Sequence, residues 1–212
     1  SMALWSLDLC KTTSSKQHSN TVTSLVSINS TPKNAHYLCS ASYDGSIGLW
    51  QFVEGCRGRR PAITIQHLLS LAHGSYPITD TPVEVLCLAS HDASACVISG
   101  GNDAVIRCWS LSRKTRMQKV ATLSGHTDAV TCMKVDQGQD LLFTGSDDGT
   151  VLQWDVRSIV GLQKDCHAEI QPVGLVGAHD GLVHDLAVAA NGLRRLVTCG
   201  ADRRVCLWEY IP

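Results

Sequence analysis

The sequence lacks any uninterrupted run of about 18 apolar residues, which a membrane-spanning helix requires. Its first residues also lack the basic segment followed by an apolar segment that marks a secretory signal. We therefore expect no membrane association and an intracellular protein of the cytoplasm or nucleus. The net charge of −1 argues against general binding to nucleic acid, and aromatic residues, at 5%, are too few for extensive base stacking.

The ten cysteines lack the spacing of a metal or redox site, because no CxxC pair occurs. Six of them lie within short aliphatic runs: Cys39, Cys87, Cys108, Cys132, Cys199 and Cys206. A thiol in such a run packs as a small hydrophobic side chain, so we predict buried, reduced thiols, no metal site and no cofactor. Only Cys56 and Cys166 fall in predicted loops, where the basic neighbours Arg57 and His167 could lower a thiol pKa.

The sequence also has little of the 3.6-residue periodicity of amphipathic helices. Its apolar runs are short, alternate with a period of two and are separated by Gly, Asp, Asn and Ser, a pattern typical of strands. Segments such as DDGTV, YDGSI and NDAVI are typical of two-residue hairpin turns. We therefore predict an all-β chain without helices.

Four of the apolar runs end in a tryptophan and belong to a repeat. An aspartate precedes each tryptophan by six positions, and a hydroxyl residue precedes each aspartate by four. The tryptophans are Trp50, Trp109, Trp154 and Trp208, the aspartates Asp44, Asp103, Asp148 and Asp202, and the hydroxyl residues Ser40, Ser99, Thr144 and Thr198. A histidine stands four residues before the valine that opens an earlier run in three copies: His18, His126 and His179. This fixed spacing indicates one supersecondary unit repeated in series.

The second copy departs from this pattern, because Thr81 stands where the other copies have a histidine. We therefore expect the polar side chains of the second copy to lack one hydrogen-bonding member. On this interpretation the second copy is locally the least stable of the four.

The segment GHTDAV…FTGSDDGTVLQWDVRS resembles a WD-repeat blade, and weaker matches extend over nearly the whole chain. The resemblance implies a WD-repeat β-propeller with four four-stranded antiparallel blades. We expect blades over residues 18–73, 74–123, 124–177 and 178–212, the last without its outer strand, and residues 1–17 as the end of a preceding blade or a ring-closing strand. In the third blade, strands are expected at 129–135, 141–145, 150–156 and about 171–177.

The resemblance also implies a role for the repeated polar residues. In this family the histidine, hydroxyl, aspartate and tryptophan form a hydrogen-bond network inside each blade. A constellation that recurs in every copy is architectural, whereas an active site would occur once. We therefore expect no catalytic residue and no enzyme.

Four blades leave a ring of this family incomplete. Either residues 3–9 pair with the last blade as its outer strand, or the chain is about half of a larger propeller. In the second case missing upstream blades, another chain or a second copy in a homodimer would cover the open strand edges and blade faces.

Rigid scaffolds concentrate binding in their loops, and the resemblance implies a non-enzymatic scaffold that presents one loop face to a peptide or protein partner. In this family the loop entering the first strand and the turn between the second and third strands share that face. The candidate residues are Asn20, Tyr43, Asn102, Asp128, Asp147, Gly181 and Ala201. Tyr43 is the strongest predicted anchor, because an exposed tyrosine offers a large contact area and a hydroxyl.

Two alternative functions stay open. Asp155 and Arg157 complete a sequence that resembles the WDxR motif by which some WD-repeat proteins dock on the adaptor of cullin-RING ubiquitin ligases. The second alternative is RNA binding or ribonucleoprotein assembly through local groups of arginines. These are Arg57, Arg59 and Arg60, and Arg194, Arg195, Arg203 and Arg204.

Overall fold

A computed structural model describes residues 2–5, 11–15, 17–28, 37–57, 60–111, 116–160, 168–189 and 194–211. Within these ranges the chain forms eighteen strands and one short helix. Four antiparallel sheets, here called blades 1 to 4, follow one another along the chain, so the prediction of an all-β propeller fold is confirmed. In the described ranges no helix is both long and apolar enough to cross a bilayer.

A two-stranded hairpin precedes the blades. β1 (Met2–Trp5) pairs antiparallel with β2 (Lys11–Ser15), and β2 contacts the last strand of blade 1. The expected pairing of residues 3–9 with the last blade is not seen for residues 3–5, because β1 and β2 form a separate two-stranded sheet that does not pair with β18. Residues 6–10 lie outside the described ranges.

Blades 1 and 2 order their strands as they occur in the sequence. Blade 1 contains β3 (Val22–Ile28), β4 (Tyr37–Ser42), β5 (Ser46–Arg57) and β6 (Arg60–Ala72). Blade 2 contains β7 (Val85–His91), β8 (Cys96–Gly101), β9 (Ile106–Leu111) and β10 (Met117–Leu123). Each blade is thus a meander of hairpins, as the short alternating runs predict.

Blades 3 and 4 repeat this order with differences after the third strand. Blade 3 contains β11 (Val130–Asp136), β12 (Leu141–Ser146) and β13 (Thr150–Asp155), then the helix α1 (Arg157–Val160), β14 (Ala168–Ile170) and β15 (Gly174–Ala178). Blade 4 contains β16 (Val183–Val188), β17 (Arg195–Gly200) and β18 (Val205–Glu209). No described residue pairs with the outer edge of β18.

Two elements around the third blade were not predicted. α1 forms a single turn directly after β13, although no helix was expected. β14 leaves blade 3 and pairs in parallel with β10, so the sheet of blade 2 has five strands. The outer strand of blade 3 begins at Gly174 rather than near residue 171, because Pro172 has no N–H to donate to a strand ladder.

The turn between the second and third strands contains a residue with positive φ in every blade. Its third residue has a positive φ of 78° at Gly45, 63° at Ala104, 81° at Gly149 and 65° at Arg203. Only glycine adopts this conformation without a steric cost, so Ala104 and Arg203 are held there by their surroundings. The predicted turns at these positions are therefore specified by the fold as well as by local sequence.

The apolar core lies between the blades. One buried cluster joins β4 and β5 to β7, β8 and β9, a second joins blades 2 and 3, and a third joins blades 3 and 4. In the third cluster Phe143 is fully buried, and its ring lies 4.6 Å from that of Tyr210. Each sheet therefore depends on its neighbour to cover its apolar face.

Phe143→Ala should lower the free energy of unfolding by about 3–5 kcal/mol, because it removes a fully buried aromatic ring from the cluster between blades 3 and 4. Ile78→Ala is the control, since Ile78 is almost fully exposed and should change stability by no more than about 0.5 kcal/mol. Urea denaturation followed by tryptophan fluorescence measures both. Equal effects of the two substitutions would contradict this assignment of the core.

Candidate functional site

The repeated polar residues of blade 3 meet in one chain of hydrogen bonds. The Trp154 indole N–H donates to Thr144 Oγ1 over 2.8 Å, and Thr144 Oγ1 lies 2.8 Å from His126 Nε2. His126 Nδ1 lies 3.1 Å from Asp148 Oδ2. A carboxylate only accepts hydrogen bonds, so Nδ1 carries the histidine proton and Nε2 accepts from the Thr144 hydroxyl.

Blades 1 and 4 have the same arrangement. Trp50, Ser40, His18 and Asp44 form it in blade 1, and Trp208, Thr198, His179 and Asp202 form it in blade 4. In all three blades the aspartate also accepts backbone N–H groups from the turn after it and from the loop that follows the histidine. The network therefore joins the loop that enters each blade to the turn between its second and third strands.

The aspartates of these networks are held as carboxylates. Burial alone would raise the pKa of Asp44, but hydrogen bonds from the Ser46 side chain and from backbone N–H groups lower it to about 2. In the same way, burial is outweighed at Asp148 by the Thr150 hydroxyl and two backbone N–H groups, and its pKa falls to about 2. Both side chains are therefore acceptors at neutral pH and have no proton to transfer.

In blade 2 the expected gap in the network is filled by His73. The sequence pattern placed this histidine's position at Thr81, but His73 lies before the loop that contains Thr81. His73 Nδ1 lies 2.9 Å from Ser99 Oγ. Ser99 Oγ also accepts the Trp109 indole N–H over 2.7 Å. Thr81 is exposed on the loop, so the expectation that blade 2 lacks a member of its network is wrong.

The hydrogen bonds of the blade 2 network point in the opposite direction, because its histidine donates to the hydroxyl group instead of accepting from it. Arg107 donates to His73 Nε2 over 2.7 Å and to Asp103 over 2.7 Å, and a guanidinium has no acceptor. His73 therefore carries its proton on Nδ1 and donates to Ser99, whose hydroxyl donates to the Arg107 carbonyl over 3.3 Å. Burial, reinforced by the charge of Arg107, lowers the pKa of His73 to about 3.

The predicted partner-binding residues lie in pairs on one end of the blades. The backbone N–H groups of Tyr43, Asn102, Asp147 and Ala201 each donate to a carbonyl in the loop that enters the same blade, at Thr21, Glu84, Ala129 and Leu182 respectively. Asn20, Tyr43, Asp128, Gly181 and Ala201 are exposed, whereas Asn102 and Asp147 are half-buried. Burial, together with the nearby charge of Asp128, raises the pKa of Asp147.

The loop between His73 and Val83 contains none of the predicted partner-binding residues. Ser75 and Pro82 form an isolated antiparallel bridge, and the Tyr76 N–H donates to the Thr81 carbonyl over 3.0 Å, so the loop is a short hairpin. The Tyr76 hydroxyl donates to the Asn102 side chain over 2.8 Å. These bonds hold the tip of the loop, where Ile78 is 97% exposed.

A cleft of about 430 Å³ separates this hairpin from blade 1. Its walls are the turn at Asp44, Gly45 and Ser46, the end of β6 at residues 70–72, and the hairpin itself. Gly45 is required here, because a Cβ at this position would clash with Pro82. Tyr43, the predicted anchor, directly precedes this turn in the chain. The unusually long spacing between Trp50 and Trp109 is the sequence signal of this feature.

Asp155 and Arg157 lie at the opposite end of blade 3 from the loop face. Arg157 Nε donates to Asp155 Oδ1 over 3.0 Å, and the Arg157 backbone N–H donates to the same oxygen over 2.9 Å. The arginine side chain is 61% exposed. The pair thus has a local role in starting α1.

The predicted arginine group of blade 4 is divided between two ends of the sheet. Arg195 begins β17 and bonds Glu209 over 3.2 Å, whereas Arg203 and Arg204 lie in the turn after β17. The four arginines therefore form two pairs, which a strand of six residues separates. The side chains of Arg57, Arg59 and Arg60 lie outside the described residues.

The cysteines with described side chains carry free thiols. Cys39, Cys87, Cys108 and Cys132 are buried, and burial raises the pKa of Cys39 to about 12. Cys199 and Cys206 are only partly buried. The side chains of Cys56 and Cys166 lie outside the described residues, and among those described no three His, Cys, Asp or Glu side chains form a group that could hold a metal ion.

A family model described as WD domain, G-beta repeat matches residues 9–51, 70–110, 117–155 and 170–209. The chain belongs to this family. Each of the four matched segments contains one of the tryptophans, and each ends within a few residues of it. These comparisons indicate no catalytic family.

Several proteins resemble this WD-repeat chain over much of its length. The Target of rapamycin complex subunit wat1 of Schizosaccharomyces pombe is 27% identical over 184 residues, which cover 87% of this chain and 48% of that protein. Striatin-4 of Mus musculus is 25% identical over 124 residues, which cover 58% of this chain and 15% of that protein. The chain thus spans about half or less of these relatives.

Solved structures resemble this WD-repeat chain in fold. The computationally designed Ika8 protein superposes with a TM-score of 0.62 at 19% identity, over 98% of this chain and 52% of that one.

His73→Ala should lower the free energy of unfolding by roughly 1–3 kcal/mol, because it removes the buried partner of both Ser99 and Arg107. Thr81→Ala should change it by no more than about 0.5 kcal/mol, since Thr81 is exposed. Urea denaturation of both variants measures the difference. A larger effect of Thr81→Ala than of His73→Ala would contradict the assignment of His73 to the network and favour Thr81 at that position.

Stability should fall as the pH falls below about 6.5, the ordinary pKa of histidine, because unfolded His73 binds a proton there and folded His73 does not until about pH 3. Asp44 and Asp148 stabilise the fold above about pH 3.8, and this contribution is lost as the pH falls toward 2. Denaturation curves at several pH values between about 7 and 4 should show this slope. His73→Gln should make it shallower, and an unchanged slope would contradict the assignment.

Proposed function

We propose that this chain is a non-enzymatic scaffold that binds a peptide or protein segment on the loop face of blades 1 and 2. The observation that carries the proposal is the cleft between the hairpin at residues 75–82 and the blade 1 turn. Exposed Tyr43 directly precedes that turn in the chain, and exposed Ile78 belongs to that hairpin. Large apolar side chains that stay exposed on a rigid loop face are typical of partner-binding surfaces.

The surroundings of the cleft favour a particular kind of segment. Tyr43 and Ile78 offer apolar contact area, and the exposed carboxylate of Asp80 lies on the cleft wall. Ser70 and Ser75 add hydroxyl groups. We expect an extended segment that places an apolar side chain between Tyr43 and Ile78 and a basic residue near Asp80.

The hairpin is ordered before any partner binds. Bonds from Tyr76 to Thr81 and Asn102 hold its tip in place, so binding needs little further ordering of the chain. The resemblance in sequence to a subunit of a Target of rapamycin complex supports a role in assembly with other proteins.

A peptide-display library selected on the immobilised chain should yield binders that depend on this cleft. The variants Tyr43→Ala and Ile78→Ala should each weaken the selected peptides by about tenfold or more, because each removes an apolar anchor. Arg157→Ala is the matched control at the opposite end of the blades and should leave affinity unchanged. Peptides that bind all three variants equally would contradict the proposed surface.

A further inference from the structure

The outer strand of blade 2 carries an additional strand at its end. β14 pairs in parallel with β10, where residues 168–170 lie opposite residues 121–123. The pairing continues one residue beyond β10, because the Ser124 N–H donates to the Ile170 carbonyl over 3.2 Å. Ile170 also packs against the apolar cluster between blades 2 and 3. An extended segment thus binds this edge through backbone hydrogen bonds and one aliphatic side chain.

The outer strand of blade 1 has the equivalent edge. Residues 121–123 of β10 lie opposite the three residues that precede Trp109 in β9. Residues 69–71 of β6 lie opposite the three residues that precede Trp50 in β5. The two segments therefore occupy the same place in their blades, and the next residue of blade 1, Ala72, corresponds to Ser124 of blade 2.

The edge of β6 is uncovered at this place. Within the described ranges no strand pairs with the outer side of β6, and β2 contacts β6 without forming a ladder with it. Leu123 is 0% exposed in blade 2, whereas its counterpart Leu71 is only partly buried and Ala72 is exposed. Blades pack against one another through their faces, so a further blade at either end of the series would leave this edge open.

The backbone groups of the β6 edge point into the cleft. The His73 N–H donates to the Gly45 carbonyl over 2.8 Å, so His73 bonds toward β5. Bonding residues alternate along an antiparallel strand, so Leu71 also bonds toward β5, whereas Ser70 and Ala72 direct their N–H and C=O groups away from it. Ser70 and Ala72 are both exposed, and both line the cleft. The cleft wall is therefore a strand edge that an extended segment can extend.

We propose that the partner segment binds the cleft as a fifth strand of blade 1, parallel to β6, with an aliphatic side chain opposite Leu71. The proposal rests on the proposed function, because it specifies how a segment binds the same cleft. In strand addition, backbone hydrogen bonds supply affinity and alternate side chains supply specificity. We expect a small, a polar and an aliphatic residue in succession, as residues 168–170 have on β10.

Ala72→Pro tests the proposal, because proline removes the outward N–H that corresponds to the N–H of Ser124. This N–H points away from β5, so the substitution breaks no ladder bond and the variant should fold. The probes are peptides selected from a display library on the immobilised chain. We expect Ala72→Pro to weaken their binding by about tenfold or more.

Ala178→Pro is the matched control in blade 3. Ala178 lies opposite Thr150 as Ala72 lies opposite Ser46, and it is also exposed, so proline removes the same N–H from another blade. This variant should bind the peptides as the unmodified chain does. Circular dichroism establishes that both variants are folded. Equal affinities of the two folded variants would overturn the proposal.

Backbone methylation of the peptides is a second test that leaves the protein unchanged. A segment in a parallel ladder directs the N–H groups of alternate residues toward its neighbour. Methylation of one N–H at a time should therefore weaken binding by about tenfold or more at every second residue of the bound part, with little effect at the residues between. Methylation that is tolerated at every position would overturn strand addition.

Tyr43→Ala and Ile78→Ala separate this proposal from the proposed function. Peptides weakened by both of these variants but not by Ala72→Pro would overturn strand addition and leave the binding surface in place. Peptides weakened by Ala72→Pro alone would support strand addition and contradict the role of the two side chains. Peptides that bind every variant equally would overturn both.

Discussion

Burial of sheet faces between neighbouring blades is the constraint on which this structure depends. Each sheet has apolar residues on both faces. Each of the three buried clusters combines residues of two neighbouring blades. A blade in isolation would leave residues such as Leu49 and Leu88 in water. The fold is therefore stabilised by nearest-neighbour contacts, as in other repeat proteins, and an uncovered face at either end of the series is energetically unfavourable.

The polar networks fix the positions of the loops relative to the packed sheets. A serine or threonine hydroxyl accepts the tryptophan N–H in every blade, but the rest of the network uses two chemistries. Blades 1, 3 and 4 place a carboxylate against the histidine, whereas blade 2 places the guanidinium of Arg107 there. Both solutions tie the entering loop to the turn, so the shape of the loop face is kept although the direction of the hydrogen bonds changes.

Local spacing was sufficient to predict the first three strands of blade 3. The expected strands at 129–135 and 141–145 correspond to β11 and β12 within one residue at each end, because alternating apolar residues and turn residues determine them locally. The outer strand of blade 3 was less accurate, since a proline interrupts its start. Parallel pairing of β14 with β10 joins segments far apart in sequence, and no local pattern encodes such a contact.

The candidate site was harder to predict for the same reason. Tyr43 was identified from its place beside the turn aspartate, but Tyr76 and Ile78 belong to an insertion that has no counterpart in the other copies. His73 was missed because that insertion separates it from Val85, so a fixed offset pointed to Thr81 instead. The arginines of blade 4 were grouped because they are close in sequence, although the strand β17 places the two pairs at opposite ends of the sheet.

The short strand β14 has a consequence for how the chain opens. It belongs to the segment that leaves β13, yet residues 168–170 pair with residues 121–123 of blade 2, and Ile170 packs against the cluster between blades 2 and 3. The segment therefore crosses the junction between the two blades like a strap. Separation of these blades must therefore break this ladder as well as the packed faces.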